Sequence, residues 1–155
     1  MDNDAIKTYS YRISQATRSQ LVVITYDIIM DYLNEAIDKK DGSEYKESLH
    51  MAMRGIDQLI TGLDMNYEVS AQLYQLYIYM KRTLISMQVL IDCNKLNRII
   101  SMLKKLRAAF LEVSMQDTSE PVMKNTQKVY SGLTYSRSGA NETAQDTLGN
   151  RGYKV

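Results

Sequence analysis

The sequence predicts an all-α fold, an antiparallel up-and-down four-helix bundle with a short N-terminal helix ahead of it and an extended C-terminal tail behind it. Two observations carry that prediction. Proline occurs once, at Pro121, and between residues 17 and 115 only Gly42, Gly55 and Gly62 interrupt a helix-forming sequence. Across that same span, apolar residues recur at steps of three and four in four long stretches, which is the helical period. The breaks between the stretches are short, so consecutive helices are antiparallel neighbours.

The first long helix is predicted from about Arg18 to Lys40, with Thr17 as its N-cap. Its apolar residues fall on three stripes: Leu21, Ile24, Ile28 and Tyr32; Val22, Tyr26, Ile29 and Leu33; Val23, Met30 and Ile37. A surface helix of a bundle shows one stripe, so this helix is surrounded by partners, either its own neighbours or another chain. Lys39, Lys40, Asp41 and Gly42 supply a cationic last turn and a stop. The second helix runs from about Ser43 to Leu63. Ser43 with Lys46-Glu47 reads as an imperfect capping box, and Tyr45, Leu49, Ala52, Ile56, Leu59 and Leu63 form the apolar face. Gly55 in its interior costs about 1 kcal/mol relative to Ala and marks a close helix–helix approach.

The third helix, about Tyr67 to Ile91, reads as a heptad seam of Val69, Leu73, Leu76, Met80, Leu84, Met87 and Ile91. Tyr67, Tyr74, Ile78 and Ile85 lie off that seam and need a second explanation. The fourth helix, about Asn94 to Ser114, is expected to bury Leu96, Ile99, Ile100, Leu103, Leu106, Phe110 and Val113, with Lys95, Arg98, Lys104, Lys105 and Arg107 on its other face. A short helix fits within Asp4 to Arg12. Residues 1–115 are thus expected to form the bundle and 116–155 a polar tail, with a short amphipathic helix opening at Glu120-Pro121, near residues 121–131, and disorder beyond Tyr135.

Composition excludes several functions. At 155 residues with 45% apolar content, the chain makes one domain with a real core. A net charge of +1 without any like-charge block gives no reason to expect a nucleic-acid or anionic-membrane partner. The N-terminus is polar and acidic, and no apolar run approaches the roughly 20 residues of a membrane span. With Cys93 as the single cysteine, the expectation is a cytosolic protein without disulfides. The sole histidine, His50, stands three residues after Glu47, a step found in di-metal bundles. Those sites need two such motifs, so no metal or cofactor is expected. Cys93 has no base at a suggestive spacing, no glycine-rich phosphate loop is present, and no catalytic residue is assigned. The basic residues of the fourth helix read as a solvated face.

Twelve tyrosines and ten methionines, against one phenylalanine and no tryptophan, suit an adaptable protein-binding surface as well as they suit a core. Periodicity balances two readings of the surplus apolar faces. Either the first long helix is the central one of the bundle, or part of the surplus forms a groove for amphipathic helices of another protein.

Gly62-Leu63-Asp64, Glu68-Val69-Ser70-Ala71-Gln72-Leu73, Leu76-Tyr77-Ile78-Tyr79-Met80 and Arg82-Thr83-Leu84 resemble, in order and spacing, a signature of the FliS family of flagellar export chaperones. Leu103 to Phe110 resembles the family's closing block. Ile6 to Tyr9, Thr17 to Leu21 and Tyr26-Asp27 fall where the family carries its N-terminal motifs. The chain departs from the pattern at Gln20, Ile28, Ile78 and Phe110, where the family has Pro, Gly, Asp and Trp, and it lacks a Gly-Gly before Glu68. The resemblance implies a cytosolic chaperone that binds the disordered C-terminal segment of flagellin, blocks premature polymerisation and delivers the subunit to the type III export gate. It also implies that an N-terminal segment bearing Ile6 and Tyr9 covers part of the binding surface and contributes to binding. From the apolar faces we add Leu21, Ile24, Ile28, Tyr74, Tyr77, Ile78, Met80 and Leu84 as candidate groove residues. The rival reading is a helical adaptor or self-associating bundle, in which a different client or a second copy of the chain covers the same surface.

Overall fold

A computed structural model of the chain describes Met1 and residues 3–123, which contain five helices. They are α1 (Asn3–Ser14), α2 (Arg18–Asp38), α3 (Glu44–Thr61), α4 (Glu68–Met87) and α5 (Cys93–Gln116). The amphipathic helix expected near 121–131 falls largely outside the described residues; Pro121 to Met123 are exposed and not helical.

Two of the helices, α2 and α5, start where a side chain supplies partners for the amides that the first turn leaves free. Thr17 forms a complete capping box with Gln20: its Oγ1 accepts from the Gln20 amide at 3.3 Å, and its own amide donates to Gln20 Oε1 at 2.9 Å. Asp92 caps α5 by accepting from the amides of Asn94 and Lys95. Ser43, the expected cap of α3, makes no such bond; its backbone is already helical, which turns the hydroxyl away from the free amides.

α2 is the central helix. Its stripe of Val22, Tyr26, Ile29 and Leu33 enters the main core with Tyr45, Leu49, Ala52 and Ile56 of α3 and Leu96, Ile99 and Leu103 of α5. Val23 and Met30 of the third stripe are buried as well. Most of the surplus apolar surface of α2 is therefore covered by the chain's own helices. Antiparallel pairing follows from two contacts along each pair: Asp27 with Arg107 and Ser19 with Asp117 for α2 and α5, and Asp57 with Lys81 and Tyr45 with Met87 for α3 and α4. Gly55 is the close approach expected of it, since a methyl group there would collide with the side chain of Ile29.

α4 buries Leu73, Met80, Leu84 and Met87 of the predicted seam, but Ser70 and Tyr77 take the places of Val69 and Leu76. Its buried row is Ser70, Leu73, Tyr77, Met80, Leu84 and Met87, while Val69 is 56% exposed, Leu76 is half-buried and Ile91 lies beyond the helix end. The reason is a tyrosine pair. The hydroxyl of Tyr77 meets that of Tyr26 inside the core, and each satisfies the other's polar atom. The Tyr26 ring also lies 5.7 Å, centroid to centroid, from Phe110. In the same way Tyr45 donates to the Met87 carbonyl at 3.1 Å, tying the start of α3 to the end of α4.

α5 buries Leu96, Ile99, Ile100 and Leu103 as expected, but its apolar face opens toward the C-terminus. Leu106 and Phe110 are half-buried and Val113 is 56% exposed. Past α5 the chain bends back on the α1–α2 turn. The carboxylate of Asp117 accepts from the hydroxyl and amide of Ser19, and the Val122 amide donates to the Ala16 carbonyl at 3.0 Å. Asp117 thus serves as a second cap for α2. The hydroxyl and amide donors of Ser119 and Ser19 hold its carboxyl below the usual carboxylate range.

Candidate protein-binding surface

The open end of the α5 apolar face borders a cleft of about 500 Å³ between α1, α2 and α5. Val23 and Ile24 line it from α2, Leu111 and Met115 from α5, and Tyr11 and Arg12 from α1. Met115 is 74% exposed and Tyr11 66%, so apolar side chains stand open to solvent at the rim beside the exposed Gln15 and Gln20, while Ile24 is closed off on the α2 side. Large apolar side chains standing together at a surface mark sites of protein or ligand contact.

α1 borders this cleft by polar bonds and buries none of its own residues. It runs antiparallel to α2 along an acidic row spaced one turn apart. Arg12 Nη2 donates to Asp27 Oδ2 at 2.9 Å, and the Tyr9 hydroxyl donates to Asp31 Oδ2 at 2.5 Å. Arg107 of α5 donates to the other side of Asp27. Burial works to raise the Asp27 carboxyl, but the guanidinium groups of Arg107 and Arg12 outweigh it, and the net shift is downward. The Tyr9 hydroxyl is pushed up by burial, by its bond to Asp31 and by that carboxylate's charge. Arg12 also lies over the Tyr9 ring, 5.4 Å from its centroid.

The candidate groove residues do not form one groove. Leu21, Ile24 and Ile28 lie along α2, with Ile24 buried at the cleft and Leu21 and Ile28 half-buried. Ile6 and Tyr9 are on α1, where Ile6 is 47% exposed and Tyr9 half-buried. Tyr77, Met80 and Leu84 are core residues of α4, at most 1% exposed; periodicity shows that such side chains share a face but not whether a neighbouring helix covers it. Tyr74 and Ile78 lie on the outer side of α4, away from the cleft. Leu111 and Met115 were not singled out, although the apolar end of α5 offered the signal. Arg107, read as part of a solvated basic face, turns inward to Asp27, while Lys95, Arg98, Lys104 and Lys105 are exposed.

His50 and Glu47 are both exposed, and no group of three His, Cys, Asp or Glu residues is placed to hold a metal ion among the described residues. Cys93 is a half-buried free thiol at the start of α5. No described helix is long and apolar enough to cross a membrane.

By its architecture the chain is a helical bundle with a solvent-open cleft between α1, α2 and α5. The chain belongs to the FliS family: the family model described as "Flagellar protein FliS" matches residues 1–117, that is, α1 to the end of α5 and its cap Asp117. The family is one of flagellar export chaperones rather than of enzymes. No individual curated protein matches the chain.

Proposed function

We propose that this chaperone works in the cytosol on the C-terminal segment of flagellin, keeps that segment from polymerising early and presents it to the export gate. The observation that carries the reading is the contrast at the α1–α2–α5 cleft, where apolar side chains are bordered by a helix attached through polar bonds. A disordered client pays about 2–5 kcal/mol to order on binding, so it needs apolar surface to bury in return. Ile24, Leu111 and Met115 offer that surface, with Leu21 and Ile28 at its edges. Displacing α1 breaks hydrogen bonds and a part-exposed ion pair that water replaces at little cost, about 0–1 kcal/mol for such a pair. Ile6 and Tyr9 travel with α1 and are then free to close over the bound segment. Residues 1–115 act as the chaperone domain in this reading.

The test is calorimetric titration of the full chain with a flagellin C-terminal segment. Saturable one-to-one binding with a negative heat-capacity change is expected, since apolar surface is buried. Met115→Glu and Ile24→Glu should each weaken it. Absence of binding at concentrations of roughly tens of micromolar, with the bundle shown folded by circular dichroism, would overturn the proposal.

A further inference from the structure

The turn between α1 and α2 is unlike the other turns of the bundle. Ala16 is 2% exposed and Thr17 7%, whereas every residue of the α2–α3, α3–α4 and α4–α5 connections is exposed or half-buried. The helix that enters this turn buries nothing of its own, so the turn is more enclosed than the helix it serves. A strap crosses it. Residues 117–123 leave α5, return over the start of α2 and hold the turn at two separate points. At the first, the Asp117 carboxylate takes both donors of Ser19 on one oxygen. Its other oxygen takes both donors of Ser119, the amide at 3.0 Å and the hydroxyl at 2.5 Å. The Ser19 amide is one that the Thr17–Gln20 capping box leaves free. At the second point, the Val122 amide donates to the Ala16 carbonyl at 3.0 Å. Thr118 to Met123 are all exposed, so the strap is held by these bonds and not by burial of its side chains. Its residues after Asp117 lie beyond the match to the FliS family.

The segment ahead of the turn is attached by polar links: Arg12 to Asp27, Tyr9 to Asp31 and the Met1 ammonium to Glu35. Once these break, α1 has two ways to leave. The whole segment peels off with its turn, or α1 swings from a fixed point. We propose that the strap imposes the second. Residues 117–123 clamp Ala16 and Ser19 to the bundle, and α1 moves as a tethered flap that pivots at Ser14–Gln15, where the helix ends and the exposed Gln15 precedes the clamped Ala16. Hinges of this kind are a few element-terminal residues that absorb the change in φ and ψ. Ala16 and Gln20 line the α1–α2–α5 cleft, so that end of the cleft keeps its shape while the side formed by Tyr11 and Arg12 opens. A helix of 12 residues is about 18 Å long. The tether therefore keeps Ile6 and Tyr9 within about that distance of the cleft, at a high effective concentration for closing again. The use of the flap rests on the displacement of α1 proposed above, whereas the clamp is a property of the free chain and is tested without a client.

The experiment is amide hydrogen exchange of the full chain, resolved by residue with NMR. In the wild type, the amides of Ala16, Ser19 and Leu21 should exchange about tenfold more slowly than those of Lys7 to Tyr11, because the turn stays closed when α1 opens. Asp117→Ala removes the acceptor of Ser19, and Val122→Pro removes the donor to Ala16. Each should speed exchange of the turn amides by about tenfold, the effect of losing one or two net hydrogen bonds, while α3 and α4 keep wild-type protection. A wild-type turn that exchanges as fast as α1 overturns the proposal. So do variants that leave the turn protected. Variants that loosen α3 and α4 together with the turn overturn it too, since the strap is then part of the core and not a local clamp. A flagellin segment that fails to bind, with these differences in place, sinks the client assignment alone.

Discussion

The α2–α3 and α1–α2 interfaces share one helix and are held together in opposite ways. Against α3, α2 presents Ile29, Leu33 and Ala36, all fully buried, and the helices come so close at Gly55 that no methyl group fits. Against α1, the same helix presents Asp27 and Asp31 to Arg12 and Tyr9, and no residue of α1 becomes buried. Dry packing is costly to open because every separated atom loses its contacts and gains unfavourable hydration. Polar pairing near water is cheap to open because solvent replaces each bond. One element of the fold is therefore fixed and another exchangeable, and the exchangeable one borders the apolar cleft.

The largest effect should come from breaking the fixed side. Ile56 is fully buried on α3 within the core that α2 and α3 share. Ile56→Ala leaves a cavity among groups that cannot collapse around Gly55, and should cost about 2–5 kcal/mol of unfolding free energy in urea denaturation. A loss under 1 kcal/mol would mean that the interface is looser than the burial of its residues implies.

Next in size is Asp27, where both kinds of interface meet, because its carboxylate holds Arg12 of α1 and Arg107 of α5 together. Asp27→Asn keeps the shape but removes the charge, and should lower stability by about 1–2 kcal/mol at neutral pH. The sign of the pH dependence follows from the downward shift of the folded-state pKa. The Asp27 contribution is fully present above the unfolded-state value of about 3.9 and is lost as pH falls through it toward the lower folded value. Wild-type stability should decline over that acid window. The decline should be shallower in Asp27→Asn, measured by urea midpoints at a series of pH values.

Much of this comparison was legible in the sequence, and the missing parts share a physical cause. The three stripes of α2 announced a helix surrounded by partners, and Gly55 announced the tight crossing. Periodicity placed Leu73, Met80, Leu84 and Met87 on the core face of α4 but put Leu76 where Tyr77 stands, because hydropathy scores tyrosine as half polar. It gives no sign that Tyr77 and Tyr26 satisfy each other's hydroxyls across 51 residues of chain. The acidic row on α2 looks like an ordinary solvated face until Arg12 and Tyr9 are brought over it. Asp117 caps a helix that begins 99 residues earlier, and no local rule reaches that far. Periodicity reveals which residues share a face, whereas the identity of the neighbour on that face is set by tertiary placement. For this reason Tyr77, Met80 and Leu84 resembled groove residues as much as core residues.

A third expected effect is of intermediate size and tests the tight crossing directly. Gly55→Ala gains about 1 kcal/mol of helix propensity but drives a methyl group into Ile29, which is fully buried and has no room to give. Overpacking of this kind costs about 1–3 kcal/mol, so a net destabilisation of about 1 kcal/mol is expected. A stabilised variant would show that α2 and α3 separate more easily than the collision suggests.

The smallest effect on global stability should carry the most information about the exchangeable side. Tyr9→Phe removes one hydroxyl, the donor to Asp31, from a half-buried ring and leaves the rest of the α1 contact in place. Urea unfolding should change by less than about 1 kcal/mol, because the bond competes with water at both ends. Amide hydrogen exchange in α1 reports local opening rather than global unfolding, and there the change should be plain. Residues 3–14 should exchange faster by about three- to tenfold, the factor that a bond of about 0.6–1.4 kcal/mol represents, while α2 and α3 keep their protection. If α1 and α2 instead lose protection together, α1 opens only with the bundle and the contrast between the two interfaces fails.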